Sequence, residues 1–134
     1  MNTHSMKNIL ATVELPINMS LEAMTAKLTI AIGDIVFEKE ETGRFDEVPA
    51  FIAKQSDMEF VLFGLPEGED GEDFVLELSG KTPLSISEFR TKVLGFVGSF
   101  LVEKEANSRG YFDFSDELAK ALCSKGLMAR KISQ

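Results

Sequence analysis

Four short strand-like runs crowd into residues 35–79, at 35–40, 48–54, 58–65 and 74–79. The links between them read TGRFDE, QSD and PEGEDGED. A parallel neighbour would need a crossover of a dozen residues or more, usually a helix, and no link is that long. Consecutive strands must therefore turn back on one another, which predicts an antiparallel meander. The run MEFVLFGL is apolar on both faces, with Phe60 and Leu62 against Val61 and Phe63, so it is expected at the centre of the sheet with cover on both sides. Pro49 cannot donate to a ladder, which makes 48–54 an edge strand or one that starts late.

The rest of the chain supplies the helices and one more strand. Ile9, Ala11, Val13 and Leu15 alternate with Leu10, Thr12 and Glu14, a period of two that predicts a strand over 8–15, stopped by Pro16. Ser20 can cap a helix whose apolar positions are Leu21, Met24, Leu28 and Ile32, with Gly33 closing it. Ile30 and Ala31 widen its apolar surface beyond one stripe, so it is expected to be well buried. Ser85 and Glu88 form an S-x-x-E capping box. Ile86, Phe89, Val93, Phe96, Val97 and Phe100 follow at helical spacing and predict one long helix out to about Asn107. Gly95 and Gly98 would lie inside it at about 1 kcal/mol each relative to Ala, which implies close packing by another element or, alternatively, a dimer contact. Arg109-Gly110 ends that helix. Phe114 as staple, Ser115 as cap and the acids Asp116 and Glu117 then open a last helix, with Leu118 and Leu122 inward and Gly126 at its end.

The order β-α-β-β-β-β-α-α predicts a single α+β domain over 1–134: a mostly antiparallel sheet with helices packed on it. Residues 1–6 and 127–134 are expected to be flexible. Eleven Phe residues among 134, with 44% hydrophobic content, are enough for one core without disulfide or metal support. The lone Cys123 excludes an internal disulfide and a cysteine-rich zinc site, and is expected as a small buried thiol. No apolar run reaches bilayer length, and the first residues lack a secretory apolar core, so the cytoplasm is the expected compartment.

Charge is distributed unevenly. The net charge is −8, yet residues 34–79 hold 14 acids and three bases, a balance of −11, while the remainder, with 11 bases and 8 acids, is +3. A field of that sign repels nucleic acid and acidic lipid and attracts basic surfaces. The rival reading is that these acids only keep a strand-rich segment soluble. They concentrate in two places: Glu67, Glu69, Asp70, Glu72 and Asp73 in one link, and Glu38, Glu40, Glu41, Asp46 and Glu47 around another.

Chemistry has little to work with. His4 is the only histidine and lies at the chain start, while Ser–His and Cys–His nucleophiles both need a placed imidazole. In PEGEDGED, counting back from Gly71 or Gly68 puts Pro66 or Phe63 at the first calcium-ligand position, so an EF-hand loop fails. Weak divalent-cation binding and a two-carboxylate hydrolase are left open, with nothing to select one pair of acids. Phosphate-loop glycine patterns are absent, as is an interleaving of aromatic and basic residues for single-stranded nucleic acid. The expectation is a non-enzyme with no cofactor and no metal. It would be a monomer that recognises a basic protein through the ten acids named above.

Three stretches resemble the small acidic immunity proteins of bacterial toxin systems, in particular those of contact-dependent growth inhibition. They are EKEETGRFDEVPAFIAK, MEFVLFGLPEGEDGEDFVLEL and YFDFSDELAKAL. The likeness is one of size, charge and α+β organisation, without a diagnostic motif, so it transfers no residue roles. It implies a cytoplasmic antitoxin that binds and neutralises a cognate toxin domain, often a nuclease. The alternative class is a small acidic secretion chaperone or adaptor acting as a dimer, for which the Gly95/Gly98 helix would serve as interface.

Overall fold

The computed structural model describes residues 6–45, 48–93 and 95–132. Strand β1 (Lys7–Pro16) leads into helix α1 (Leu21–Ile32) and then into β2 (Glu38–Lys39), β3 (Ala50–Gln55), β4 (Met58–Phe63) and β5 (Asp73–Thr82). Helices α2 (Ile86–Lys92) and α3 (Phe96–Phe100), strand β6 (Tyr111–Asp113), helix α4 (Ser115–Ser124) and strand β7 (Arg130–Lys131) follow. The sheet runs β2-β3-β4-β5-β1-β6, with β7 also on β1, and only the β1–β6 pairing is parallel. This is the α+β class that the order of elements predicts.

The meander forms as its short links require: β2, β3, β4 and β5 are successive antiparallel neighbours. Pro49 delays β3 to Ala50, and β2 shrinks to two residues at the sheet edge. The spine is β1, paired with β5 over its whole length from Lys7↔Thr82 to Pro16↔Asp73. Its other side is shared, with β6 beside Asn8–Leu10 and β7 beside Val13 and Glu14. Between them the backbone is satisfied piecemeal. Leu10 C=O accepts from Phe114 N–H at 2.8 Å, Thr12 N–H donates to Ser115 Oγ at 2.9 Å, and Thr12 C=O accepts from Ile132 N–H at 3.2 Å. No backbone group in that gap is left bare for another chain to pair with.

The core lies on one face of this sheet. Ile9, Ala11, Val13 and Leu15 of β1, Leu76 and Leu78 of β5, and Phe60 and Leu62 of β4 alternate inward and are buried. Met24 and Leu28 of α1, Phe89 of α2, Val97 of α3, and Leu118 and Leu122 of α4 join the same cluster. The four described helices therefore cover the same side, and among the described residues the opposite face carries no helix.

Several expectations are corrected. The single long helix is two short ones. The Ser85–Glu88 capping box does start α2, but Val93 leaves helical geometry at φ −111° and ψ 95°, and Gly95 takes φ +84°. Only glycine adopts that φ without strain, and nothing lies within 4 Å of the place a Gly95 Cβ would occupy. Gly95 thus marks a break rather than a close contact. A Cβ on Gly98 would meet the carbonyl oxygen of Val93 at 2.0 Å, so that glycine packs closely against its own chain. Beyond Leu101 the segment is irregular. It is tied back where Glu103 accepts from the backbone N–H and the hydroxyl of Ser87, both at 2.7 Å.

At α4, Ser115 is the first helical residue, not the cap. Its N–H and hydroxyl both donate to Asp113 Oδ1 while its Oγ takes the Thr12 N–H. In α1 the cap and stop are as expected, with Ser20 accepting from Ala23 N–H at 3.0 Å and Gly33 at φ +77°, yet Ile30 is 85% exposed. Within the tail expected to be flexible, Leu127 and Ala129 are buried and Arg130–Lys131 form β7. Cys123 is exposed, its thiol 3.4 Å from the Ala129 carbonyl oxygen.

Candidate partner-binding surface

The two acidic stretches meet at one end of the sheet. The β2–β3 connection enters β3 at Ala50, which pairs with Phe63, the residue from which the β4–β5 hairpin departs. Gly64 N–H donates to Pro49 C=O at 2.8 Å and joins the roots of the two loops. Strands lie about 4.8 Å apart, so β2 and β5 are separated by about 14 Å across three steps, within one docking footprint.

Within this end the ten acids have different employments. Glu67, Glu69, Asp70 and Glu72 are exposed on the hairpin, whose tip is shaped by Glu69 N–H donating to Pro66 C=O at 3.0 Å and by Gly68 at φ +81°. Glu38 and Glu41 are exposed on and beside β2. Glu40 is turned to its own loop. The Thr42 hydroxyl, then the N–H groups of Thr42 at 2.9 Å and Arg44 at 3.1 Å, donate to it and hold its carboxyl below the usual glutamate range. Asp73 is half-buried and bonded to Arg130 at 3.0 Å, with Glu14 3.6 Å from the same guanidinium, so it braces β7 against the sheet. Asp46 and Glu47 lie outside the described residues.

The charge pattern alone misses Arg44. Its guanidinium grips Glu59 through two hydrogen bonds of 2.9 and 3.2 Å and lies 4.8 Å over the Phe45 ring. Phe45 in turn meets Phe63 edge-on at 4.8 Å. Glu59, Val61 and Phe63 alternate on the face of β4 away from the helices, so the loop of Arg44 and Phe45 lies over that face. Val61 and Ala50, each 2% exposed, are buried apart from the main core. Strand β4 is thus covered on both sides, as its apolar run demands, but the second cover is a loop. Beside it, Glu38, Arg44, Ile52 and Lys54 line an open groove of about 720 Å³. The Arg-Phe dipeptide in TGRFDE was the available signal, an apolar and cationic pair inside an acidic link.

Among the described residues, no three His, Cys, Asp or Glu side chains gather as a metal would require. His4 lies outside the described residues. None of the described helices is long and apolar enough to cross a membrane. No family model, no curated protein and no solved structure matches the chain.

Proposed function

We propose that the chain is a non-catalytic acidic binding protein of the immunity type. It docks the end of its sheet against a basic protein, such as the nuclease domain of a cognate bacterial toxin, and neutralises it in the cytoplasm. The observation that carries this reading is the convergence of the two acidic loops. Glu67, Glu69, Asp70 and Glu72 are exposed on the β4–β5 hairpin, at the same end of the meander as the exposed Glu38 and Glu41. Carboxylates so placed match the positive surface by which a nuclease holds phosphates, and they accelerate encounter more than they add affinity. The alternative, a small acidic chaperone acting as a dimer, loses one of its arguments, because Gly98 packs on its own chain.

Toxicity of the product of an adjacent open reading frame, relieved by co-expression of this chain, tests the reading directly. The relieved toxin should bind with association that slows steeply as salt rises. An unrelieved toxin, together with salt-independent association to basic proteins generally, sinks it.

A further inference from the structure

The uncovered sheet face has a centre. Glu77 of β5 lies opposite Val61 of β4 on one side and Thr12 of β1 on the other, with Val75 and Ser79 before and after it on the same face. Strands β4, β5 and β1 contribute here, and among the described residues no helix crosses. Glu77 is half-buried by these neighbours, yet among the described residues no hydrogen bond or ion pair engages its carboxylate. Arg44 is committed to Glu59 and feels Glu77 only through space, and Arg130, on the same face, is bonded to Asp73. Glu77 is flanked by Val61 and Thr12 across the strands and by Val75 along its own, so a cation that pairs with it would be desolvated on docking.

The chain already shows what this face accepts. Arg44 and Phe45, adjacent in sequence, dock on it as a guanidinium on Glu59 and a ring on Phe63. One strand further on, Glu77 stands two residues from the apolar Val75 on the same face, and among the described residues its carboxylate has no such ion pair.

We propose that Glu77 is a socket for an arginine of the basic partner, carried next to an apolar residue that packs on Val75. This rests on the basic-partner reading and adds to it a division of labour. The loop acids steer the partner in, and the socket holds it. Charges at a rim act on association, whereas a desolvated charge pair acts on dissociation.

The probes are acetyl-Phe-Arg amide, its uncharged citrulline counterpart, and polylysine, each titrated into the full chain and followed by backbone amide NMR. The arginine peptide should move the amides of Thr12, Val61, Val75 and Glu77. Glu77→Gln should weaken it at least about tenfold, and the citrulline peptide should bind the native chain no better than the arginine peptide binds Glu77→Gln. Glu77→Lys should abolish it, and melting curves check that both variants fold. The combined change of Glu67, Glu69, Asp70 and Glu72 to neutral amides should weaken polylysine and leave the arginine peptide bound. Equal affinity for the native chain and Glu77→Gln, or shifts confined to the loops, overturns the socket alone. Polylysine binding that ignores both sets of changes overturns the basic-partner reading as well.

Discussion

The two faces of this sheet are made from alternate residues of the same strands, yet they have opposite characters. On the helix side, Phe60, Leu62, Leu76 and Leu78 are fully buried in a single cluster with four helices. On the other side, Thr12, Val75, Glu77 and Ser79 are only half-buried; the loop of Arg44 and Phe45 lies over the β3–β4 end, and Arg130 reaches Asp73 and Glu14 at the other. The first face was built by apolar area removed from water, the dominant favourable term in folding. The second keeps charged and apolar groups side by side, an arrangement that contributes little to folding and suits recognition. A sheet with one dry and one open face is the normal outcome for an antiparallel meander.

Substitutions should separate the faces by the size of their effect on stability. Phe60→Ala, on the dry face, should lower unfolding free energy by about 3–5 kcal/mol, measured by urea denaturation, since the ring is fully buried. Ser115→Ala strands the Thr12 N–H in the gap between β6 and β7 and should lower it by about 1–3 kcal/mol. Thr12→Val, at the same position on the open face, changes only a half-exposed side chain and should stay within about 0.5 kcal/mol. If Thr12→Val matched Ser115→Ala, the open face would be part of the core after all.

Neutralising Glu67, Glu69, Asp70 and Glu72 should leave the melting temperature unchanged or slightly raised, because it removes like charges crowded on one hairpin. It should also slow association with a basic partner and flatten its salt dependence. Mild acid gives the smallest signal. Glu103 is held below the usual glutamate range by the hydroxyl of Ser87, then by its N–H. A carboxylate whose folded pKa is depressed stabilises the fold above its unfolded pKa, and that contribution is lost as pH falls through the folded value. Glu103→Gln should therefore lower the neutral plateau slightly, leave stability in acid nearly unchanged, and so make the acid limb shallower.

What could be read in advance depended on whether local signals were sufficient. Helix α1 was legible because Ser20, the spacing of Met24, Leu28 and Ile32, and Gly33 agree with one another. Its exposed Ile30 was not, since apolar residues outside the stripe look the same whether or not a neighbour covers them. The segment from Ile86 to Phe100 keeps helical spacing straight through a break. Phe96, Val97 and Phe100 are buried in α3 as they would be in one long helix, so periodicity could not reveal the positive φ of Gly95. Strands β6 and β7 carry too few residues for any period, and they exist because β1 has an edge to fill. Of the acids, the exposed hairpin four were legible as a group. The engagement of Glu40 with its own loop and of Asp73 with Arg130 depends on partners that sequence distance conceals.

By itself the sequence determined the class of fold, the meander and the sign of the surface charge. Short links permit only antiparallel neighbours, and side-chain period and charge are local properties. Only the tertiary structure decided which sheet face stayed open, that two acidic loops share one end, and that Glu77 stands at the centre of the open face. Each of these depends on which strands become neighbours and on where helices distant in sequence come to pack, and such contacts are selected by the burial of the whole core rather than by any one segment.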